Sequence, residues 1–225
     1  MHAHRFIPDH HPQYEKCAIC GTFHSIVPFP KENYLDNYWD ESKGHSTLQD
    51  QRYNLEVFVN ENGESKVQAV LKHVKNTPLL EIACAPGSFL RVICDKFHGS
   101  QVVGIEPDSS YLPDIQKYVP EAFLVGKFFE DVKFPKDQSF KTIVAMDLLE
   151  HLEDGQEFIK KAMSLLEDGG RLILMLPLED NCRPQDFCPE HLWLYSRRYI
   201  KKWLNPILIE DWIHGHSVVV VEKGA

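Results

Sequence analysis

The stretch MDLLEHLED, Met146 to Asp154, brings Asp147, Glu150 and His151 into one short segment, and CPEHLWLY adds His191 further along. A histidine that titrates near neutrality can take a proton from a hydroxyl as its oxygen gains a new bond. His151, Glu150 and His191 are therefore the candidate catalytic residues. With Asp147 they offer two carboxylates and two imidazoles, a set that also suits an octahedral divalent cation binding an acceptor's oxygens. The metal-free reading is preferred, with a purely structural role for His151 in its own loop as the other alternative.

A second stretch, LLEIACAPGSFLRVI from Leu79 to Ile93, runs from a strand pattern through small residues into a helix pattern. Side chains as small as those of Ala83, Ala85 and Gly87 let a ligand come close to the backbone. Glu81 lies inside the strand before this turn, and Glu106 ends the next apolar run, QVVGIE. In an open parallel sheet an acid at that point can accept hydrogen bonds from both hydroxyls of a ribose. A dinucleotide would need G-x-G-x-x-G to seat a pyrophosphate on the helix N-terminus. The chain has only Ala83-x-Ala85-x-Gly87, and Glu81 would repel a diphosphate. A ligand with a cationic amine suits Glu81 better, which selects S-adenosylmethionine as the expected cofactor.

The elements that must position these groups are legible in the apolar periodicity. ESKVQAVLKHVK reads as an amphipathic helix with Val67, Val70, Leu71 and Val74 on one face. PLLEIA is a buried strand, and FLRVICDKF a helix that Ser88 can cap and Gly99 can close. QVVGIE, AFLVG, KTIVAMDL and RLILMLP follow as strands, with a helix over GQEFIKKAMSLLED ending at Gly169-Gly170. SRRYIKKWL is the last helix, and ILIEDWI and SVVVVEK are the last two strands. Near-continuous apolar strands alternating with helices predict a mostly parallel, Rossmann-like α/β sheet of seven strands covered by helices on both faces. The final pair, joined only by HGH, is too close for a crossover and is expected to be a C-terminal antiparallel hairpin.

Up to about residue 60 the pattern is weaker and rich in His, Pro, Tyr and Trp. Residues 1–60 are read as an N-terminal extension and 61–225 as the cofactor-binding domain. CAIC-G, Cys17 to Gly21, is a knuckle-type C-x-x-C with no second pair. Zinc there could draw on His24, on His2, His4, His10 and His11, or on Cys182 and Cys188. A packed pair of thiols is the preferred reading. Tyr34, Tyr38, Trp39 and His45 fit a lid over cofactor and acceptor, with Tyr38 chosen as a cofactor contact.

The chain has 225 residues, 43% of them hydrophobic and 25% charged, which suits one soluble α/β domain with modest additions. No apolar run is long enough to span a membrane, and the N-terminus lacks an apolar signal core, so a cytoplasmic protein with reduced cysteines is expected. A formal net charge of −9 disfavours a general nucleic-acid binder.

EIACAPGSFL, GIEPD, FFEDV, FKTIVAMDLLEHLED, GGRLILMLP and EHLWLYSRRYIKKWL, taken in order, resemble the class I S-adenosylmethionine-dependent methyltransferases. The similarity is to the bacterial small-molecule branch with a D-x-x-E-H-L signature after the fourth strand, and it covers about Lys66 to Lys223. The usual turn of that family is E/D-x-G-x-G-x-G, and Ala stands here at its first two Gly positions. The resemblance implies that Glu81, Ala83 and Gly87 line the methionine end and that Glu106 holds the ribose. It implies further that Pro107 and Asp108 flank the adenine and that Phe129 and Glu130 pack on it or bond it. Asp147 and Leu148 would face the sulfonium. Related E-x-x-E-H arrangements with a further His hold a metal in small-RNA 3′-end and catechol-type enzymes. The expected activity is O-methylation of a small metabolite such as a sugar or polysaccharide precursor, with Leu178 to Leu194 as an acceptor wall. The alternatives are metal-assisted methylation of an RNA terminus or catechol, and cofactor binding without turnover. None of these motifs encodes an oligomeric state.

Overall fold

Along each apolar run read as a strand, side chains alternate between two cores, as the twofold period of a strand requires. Leu79 joins one core and Leu80 the other, and Leu172, Ile173, Leu174 and Met175 alternate in the same way. Both faces of the sheet are therefore buried. The computed structural model describes residues 4–8, 11–35, 47–97, 101–213 and 215–224.

The central strands are β4 (Leu79–Ile82), β5 (Val102–Ile105), β6 (Phe123–Val125), β7 (Phe140–Met146), β8 (Leu166–Leu176), β10 (Leu208–Ile213) and β11 (His216–Glu222). Their order is β10-β11-β8-β7-β4-β5-β6. Strands β4 to β8 pair in parallel, and β11 runs antiparallel to both β8 and β10. This is the seven-stranded, mostly parallel Rossmann-like sheet with a terminal hairpin that the periodicity predicts. The strand order reverses at β4, between β5 and β7, and ligands bind in such folds beyond the carboxyl ends at that point.

One face is covered by α1 (Leu48–Glu56), α2 (Lys66–Leu71), α3 (Ser88–Lys96) and α4 (Leu112–Tyr118), which send Leu55, Val67, Phe89 and Ile115 into the core there. The other face is covered by α5 (Gly155–Ser164) and α6 (Arg197–Leu204), through Phe158, Ile159, Tyr199 and Ile200. Caps set several of the starts. Thr47 and Asp50, and Ser65 and Gln68, form reciprocal boxes at α1 and α2, while Asp154 and Ser196 cap α5 and α6.

Two boundaries differ from the sequence expectation. Helix α3 takes its cap from Gly87, at φ 93, with no side-chain bond, so Ser88 is the first helical residue and not the cap. Gly99 lies outside the described residues. Helix α5 stops at Ser164, because Leu166 is already paired with Phe140 and the Phe140 amide donates to the Leu165 carbonyl at 2.8 Å. Strand pairing there overrides a helical pattern that reads on to Asp168.

A second sheet, β1 (Phe6–Pro8), β2 (Tyr14–Cys17), β3 (Phe23–Ser25) and β9 (Trp193–Leu194), is antiparallel throughout. It joins the N-terminal segment to the loop after β8, because Phe23 pairs with Leu194 and His24 with Trp193. Its own core is small: Tyr14, Phe23 and Leu194, with Cys182 and Phe187 packed on it. Among the described residues, no helix is long and apolar enough to cross a membrane.

Candidate active site

The turn after β4 is built for a close approach. Ala83 takes φ 59, a left-handed conformation that costs an L residue about 1–2 kcal/mol, at the place where the resembling family carries glycine. Alanine thus keeps the glycine-type shape of the turn. The Cys84 amide donates to the Ile105 carbonyl at 3.0 Å and the Gly87 amide to the Cys84 carbonyl at 2.7 Å, which locks the turn onto β5. A Cβ at Gly87 would come 3.1 Å from the Ile115 side chain, so both its φ and its surroundings call for glycine.

Two acids bracket this turn. Glu106 is buried, and its carboxylate accepts from the Ala85 amide at 3.2 Å and the Asp108 amide at 3.1 Å. Burial pushes its pKa up to about 7, against the downward pull of those two N–H groups. Each oxygen keeps a further lone pair for a ligand hydroxyl. Glu81 is also buried, and its Oε2 has no hydrogen-bond partner among the described residues. Burial, and then the nearby Glu106 charge, push its pKa well above the carboxylate range, with a backbone bond from Leu90 pulling the other way. An orphaned acid beside bare backbone fits a ligand that brings an ammonium group.

The end of β7 brings in two residues that the sequence reading passed over. Asp147 takes φ 48, and its carboxylate is paired with Lys66 Nζ at the start of α2 and lies 3.3 Å from His216 Nε2 at the start of β11. Although burial opposes it, the charges of Lys66 and His216 hold the Asp147 carboxyl well below its usual range. Leu148 is half-buried and packs against the core on the α5 side. Lys66 and His216 lie far from Asp147 in the chain, so this pairing has no signature in local spacing.

Glu150, His151 and His191 come together. One ligand atom from each lies within 4.8 Å of the others, and the two imidazole rings meet edge to face with centroids 4.8 Å apart. Asp147, expected as a fourth donor, is diverted by Lys66 and His216. His151 Nδ1 is 2.9 Å from the Glu190 carbonyl, and His191 Nδ1 is 2.7 Å from the Asp186 carbonyl. A carbonyl only accepts, so in each ring Nδ1 holds the proton and Nε2 carries a lone pair. The Tyr34 hydroxyl completes the frame, 2.8 Å from His151 Nδ1 and donating to Glu190 O at 3.3 Å.

Burial, and then the neighbouring His191, lower the His151 pKa to about 4, and burial lowers that of His191 as well. Glu150 is fully buried, and neither carboxyl oxygen has a hydrogen-bond partner among the described residues. Burial, reinforced by Asp147, raises its pKa well above the usual value. Two imidazoles with Nε2 lone pairs, beside a carboxyl group whose burial favours its protonated form, can accept and relay a proton. The same three groups could hold a divalent cation, which would supply the missing partner of Glu150.

The other expected cofactor contacts follow β5 and β6. Phe129 is packed in the core against Phe134 and Phe158, with the Lys161 ammonium 4.7 Å above its ring. Glu130 is exposed and bonded to Lys31 at 2.6 Å. Pro107 is half-buried beside Glu106, and Asp108 caps the short helical turn that follows by accepting from the Ser110 amide. Tyr38 lies outside the described residues. Of the aromatics expected to form a lid, Tyr34 is described, and it reaches His151.

Comparisons with known proteins bear on the family and the fold. Residues 51–206 match the family profile described as "Methyltransferase domain". A ubiquinone biosynthesis O-methyltransferase of Pelagibacter ubique is 27% identical over 183 residues, 79% of this chain and 72% of that protein. One from Rhodopseudomonas palustris is 23% identical over 162 residues, and this chain spans 59% of its length. Among solved structures, magnesium protoporphyrin IX methyltransferase from Synechocystis superposes with a TM-score of 0.59 at 13% identity, covering 84% of this chain and 97% of that one. An S-adenosylmethionine-dependent methyltransferase from Clostridium acetobutylicum gives 0.58 at 12% identity, covering 79% and 98%. The family match over most of the chain and the shared fold lead to one conclusion: the protein belongs to the class I S-adenosylmethionine-dependent methyltransferases.

Proposed function

We propose that this methyltransferase acts on a hydroxyl oxygen of a small metabolite, with a sugar or polysaccharide precursor as the favoured class, and that His151 is its base. The observation that carries this reading is the frame around His151. The Glu190 carbonyl fixes the proton on Nδ1, so the Nε2 lone pair is the one left for chemistry. S-adenosylmethionine supplies an activated methyl on a positively charged sulfur. In such a reaction the chain's main work is to place the acceptor oxygen in line. A pKa of about 4 leaves His151 neutral at pH 7 and weakly basic. It is too weak to strip an alcohol beforehand, and strong enough to take the proton once methyl transfer makes that oxygen cationic. Glu81 and the turn would hold the methionine end, and Glu106 the ribose. The names of the Pelagibacter and Rhodopseudomonas relatives support oxygen as the acceptor atom.

The grouping of Glu150, His151 and His191 favours a second reading, metal-assisted methylation of a catechol or an RNA terminus. A cation held by those three would bind and acidify the acceptor hydroxyl. One experiment separates the readings: methyl transfer from labelled cofactor to a panel of sugars, catechols and RNA 3′ ends, with chelator or with added Mg²⁺ or Mn²⁺. Transfer to a sugar that survives chelation supports the first reading. Transfer to a catechol or RNA end that requires metal supports the second. Cofactor binding without transfer to any acceptor would overturn both in favour of a binding protein.

A further inference from the structure

We infer that Cys17, Cys20 and His4 form a structural zinc site at the root of the N-terminal sheet. The inference is independent of the acceptor reading above. Cys17 closes β2, and the chain turns back so that its amide donates to the Thr22 carbonyl at 2.8 Å while the Gly21 amide donates to the Cys17 carbonyl at 2.9 Å. Gly21 takes φ 85, which a side chain would resist. This knuckle turns both sulfur atoms to one side. The Ala18 amide, donating to the Arg5 carbonyl at 2.8 Å, fastens the neighbouring chain so that His4 reaches the same point. One ligand atom from each of the three residues lies within 4.8 Å of the others, and Cys20 Sγ is 3.6 Å from His4 Nδ1. Zn–S bonds of about 2.3 Å and Zn–N bonds of about 2.0 Å put sulfur and nitrogen about 3.5 Å apart across a tetrahedron. The apposition therefore already has the spacing of a coordination edge.

The surroundings suit an ion that binds thiolates. Both cysteines are buried, and none of the six cysteines is in a disulfide. The Thr22 hydroxyl, 3.4 Å from Cys20 Sγ, can bond a ligating sulfur as an outer partner. Zinc binding would release the thiol protons, and these three donors would fill three corners of a tetrahedral structural site that takes its fourth ligand from the protein.

Zinc would add to a modest set of contacts. The strands are two to four residues long; Tyr14, Phe23 and Leu194 form a small cluster on their own, while Cys17, Cys20, Phe6 and Trp193 pack on the main core. Yet the sheet carries a precise task. The Tyr14 hydroxyl in β2 bonds the carbonyls of Cys188 and His191 at 2.7 and 2.8 Å, so β2 anchors the loop that presents His191. Zinc at the knuckle would fix that wall from outside the reaction centre.

The test uses the full chain, purified without chelators from zinc-supplemented growth. Metal analysis should find about one zinc per chain. That zinc should persist in Glu150→Gln/His191→Ala and fall to background in Cys17→Ser/Cys20→Ser. Cobalt in place of zinc should give the wild type a thiolate-to-metal charge-transfer band that the cysteine variant lacks. Should that variant fail to fold, His4→Ala supplies the reading, with zinc retention against a chromogenic chelator reduced about tenfold or more. Background zinc in the wild type, a Cys17–Cys20 disulfide, or zinc that persists in the folded cysteine variant would each overturn the site.

Discussion

The Ala85 amide donates to the Glu106 carboxylate across 3.2 Å, so the turn after β4 and the acid after β5 are one hydrogen-bonded unit. Glu106 shapes the backbone of the turn through that bond, and in the proposed site it would also offer lone pairs to the ribose. Glu106→Ala should weaken binding of S-adenosylhomocysteine by about 2–3 kcal/mol, the scale of losing charge-assisted hydrogen bonds. Calorimetry checks this, and unchanged affinity in a folded variant would remove Glu106 from the site.

The same acid makes stability depend on pH with a definite sign. Its pKa in the fold is about 7, above the ordinary 4.5, so the folded chain binds that proton more tightly than the unfolded chain. The stabilisation is complete below about pH 4.5, is lost as pH rises through 7 and is flat above, a change of about 3 kcal/mol. His151 works in the opposite sense. Its pKa of about 4 lies below the ordinary 6.5, so stability is gained as pH rises from 4 to 6.5, by a similar amount. The two nearly cancel in the wild type, and the variants expose them. From pH 5 to 8 the unfolding free energy of Glu106→Gln should rise relative to wild type, and that of His151→Ala should fall. Parallel urea-unfolding curves for all three proteins across that range would refute the assignment.

Much of this was legible beforehand because the signals are local. The apolar runs from Leu79 to Ile82 and from Val218 to Val221 can only be buried on both sides, and the HGH link forces a hairpin. The small residues from Ala83 to Gly87 announce a bare turn. What stayed hidden is tertiary. Phe134 and Phe158, the neighbours of Phe129, are brought to it by the fold and have no signature in its local sequence. Leu166 reads as the end of a helix until Phe140 pairs with it. Tyr34 stood among several lid aromatics, and no spacing rule says that it meets His151. The knuckle was visible as two cysteines, but which of many histidines approaches it is decided by the pairing of β1 with β2.

His151→Ala should leave the affinity for S-adenosylhomocysteine unchanged and lower turnover by about 10²–10⁴, the usual worth of a positioned base. Tyr34→Phe should be mild, a loss of about fivefold, because the Glu190 carbonyl still holds the Nδ1 proton in place. Single-turnover kinetics with saturating cofactor distinguish the two. Equal losses in both variants would mean that Tyr34 itself handles the proton.

The pairing of Lys66 with Asp147 bears on how the site treats charge. If Asp147 faces the sulfonium, Lys66 now neutralises the carboxylate that the cation would meet. Lys66→Met should release that charge and favour the cationic S-adenosylmethionine over the uncharged sulfur of its demethylated product. A contact a few ångströms long in a deep site would exceed this, but Asp147 is 34% exposed and solvent screens it, leaving about 1 kcal/mol, or about fivefold in the ratio of the two affinities. The same variant should lose about 2 kcal/mol of stability, short of the 3–5 kcal/mol of a fully buried pair, since His216 stays 3.3 Å from Asp147. Titrating both compounds into wild type and variant tests the placement directly. A stability loss with an unchanged affinity ratio would put Asp147 away from the sulfur and leave the Lys66 pair as a fastening between α2 and the end of β7.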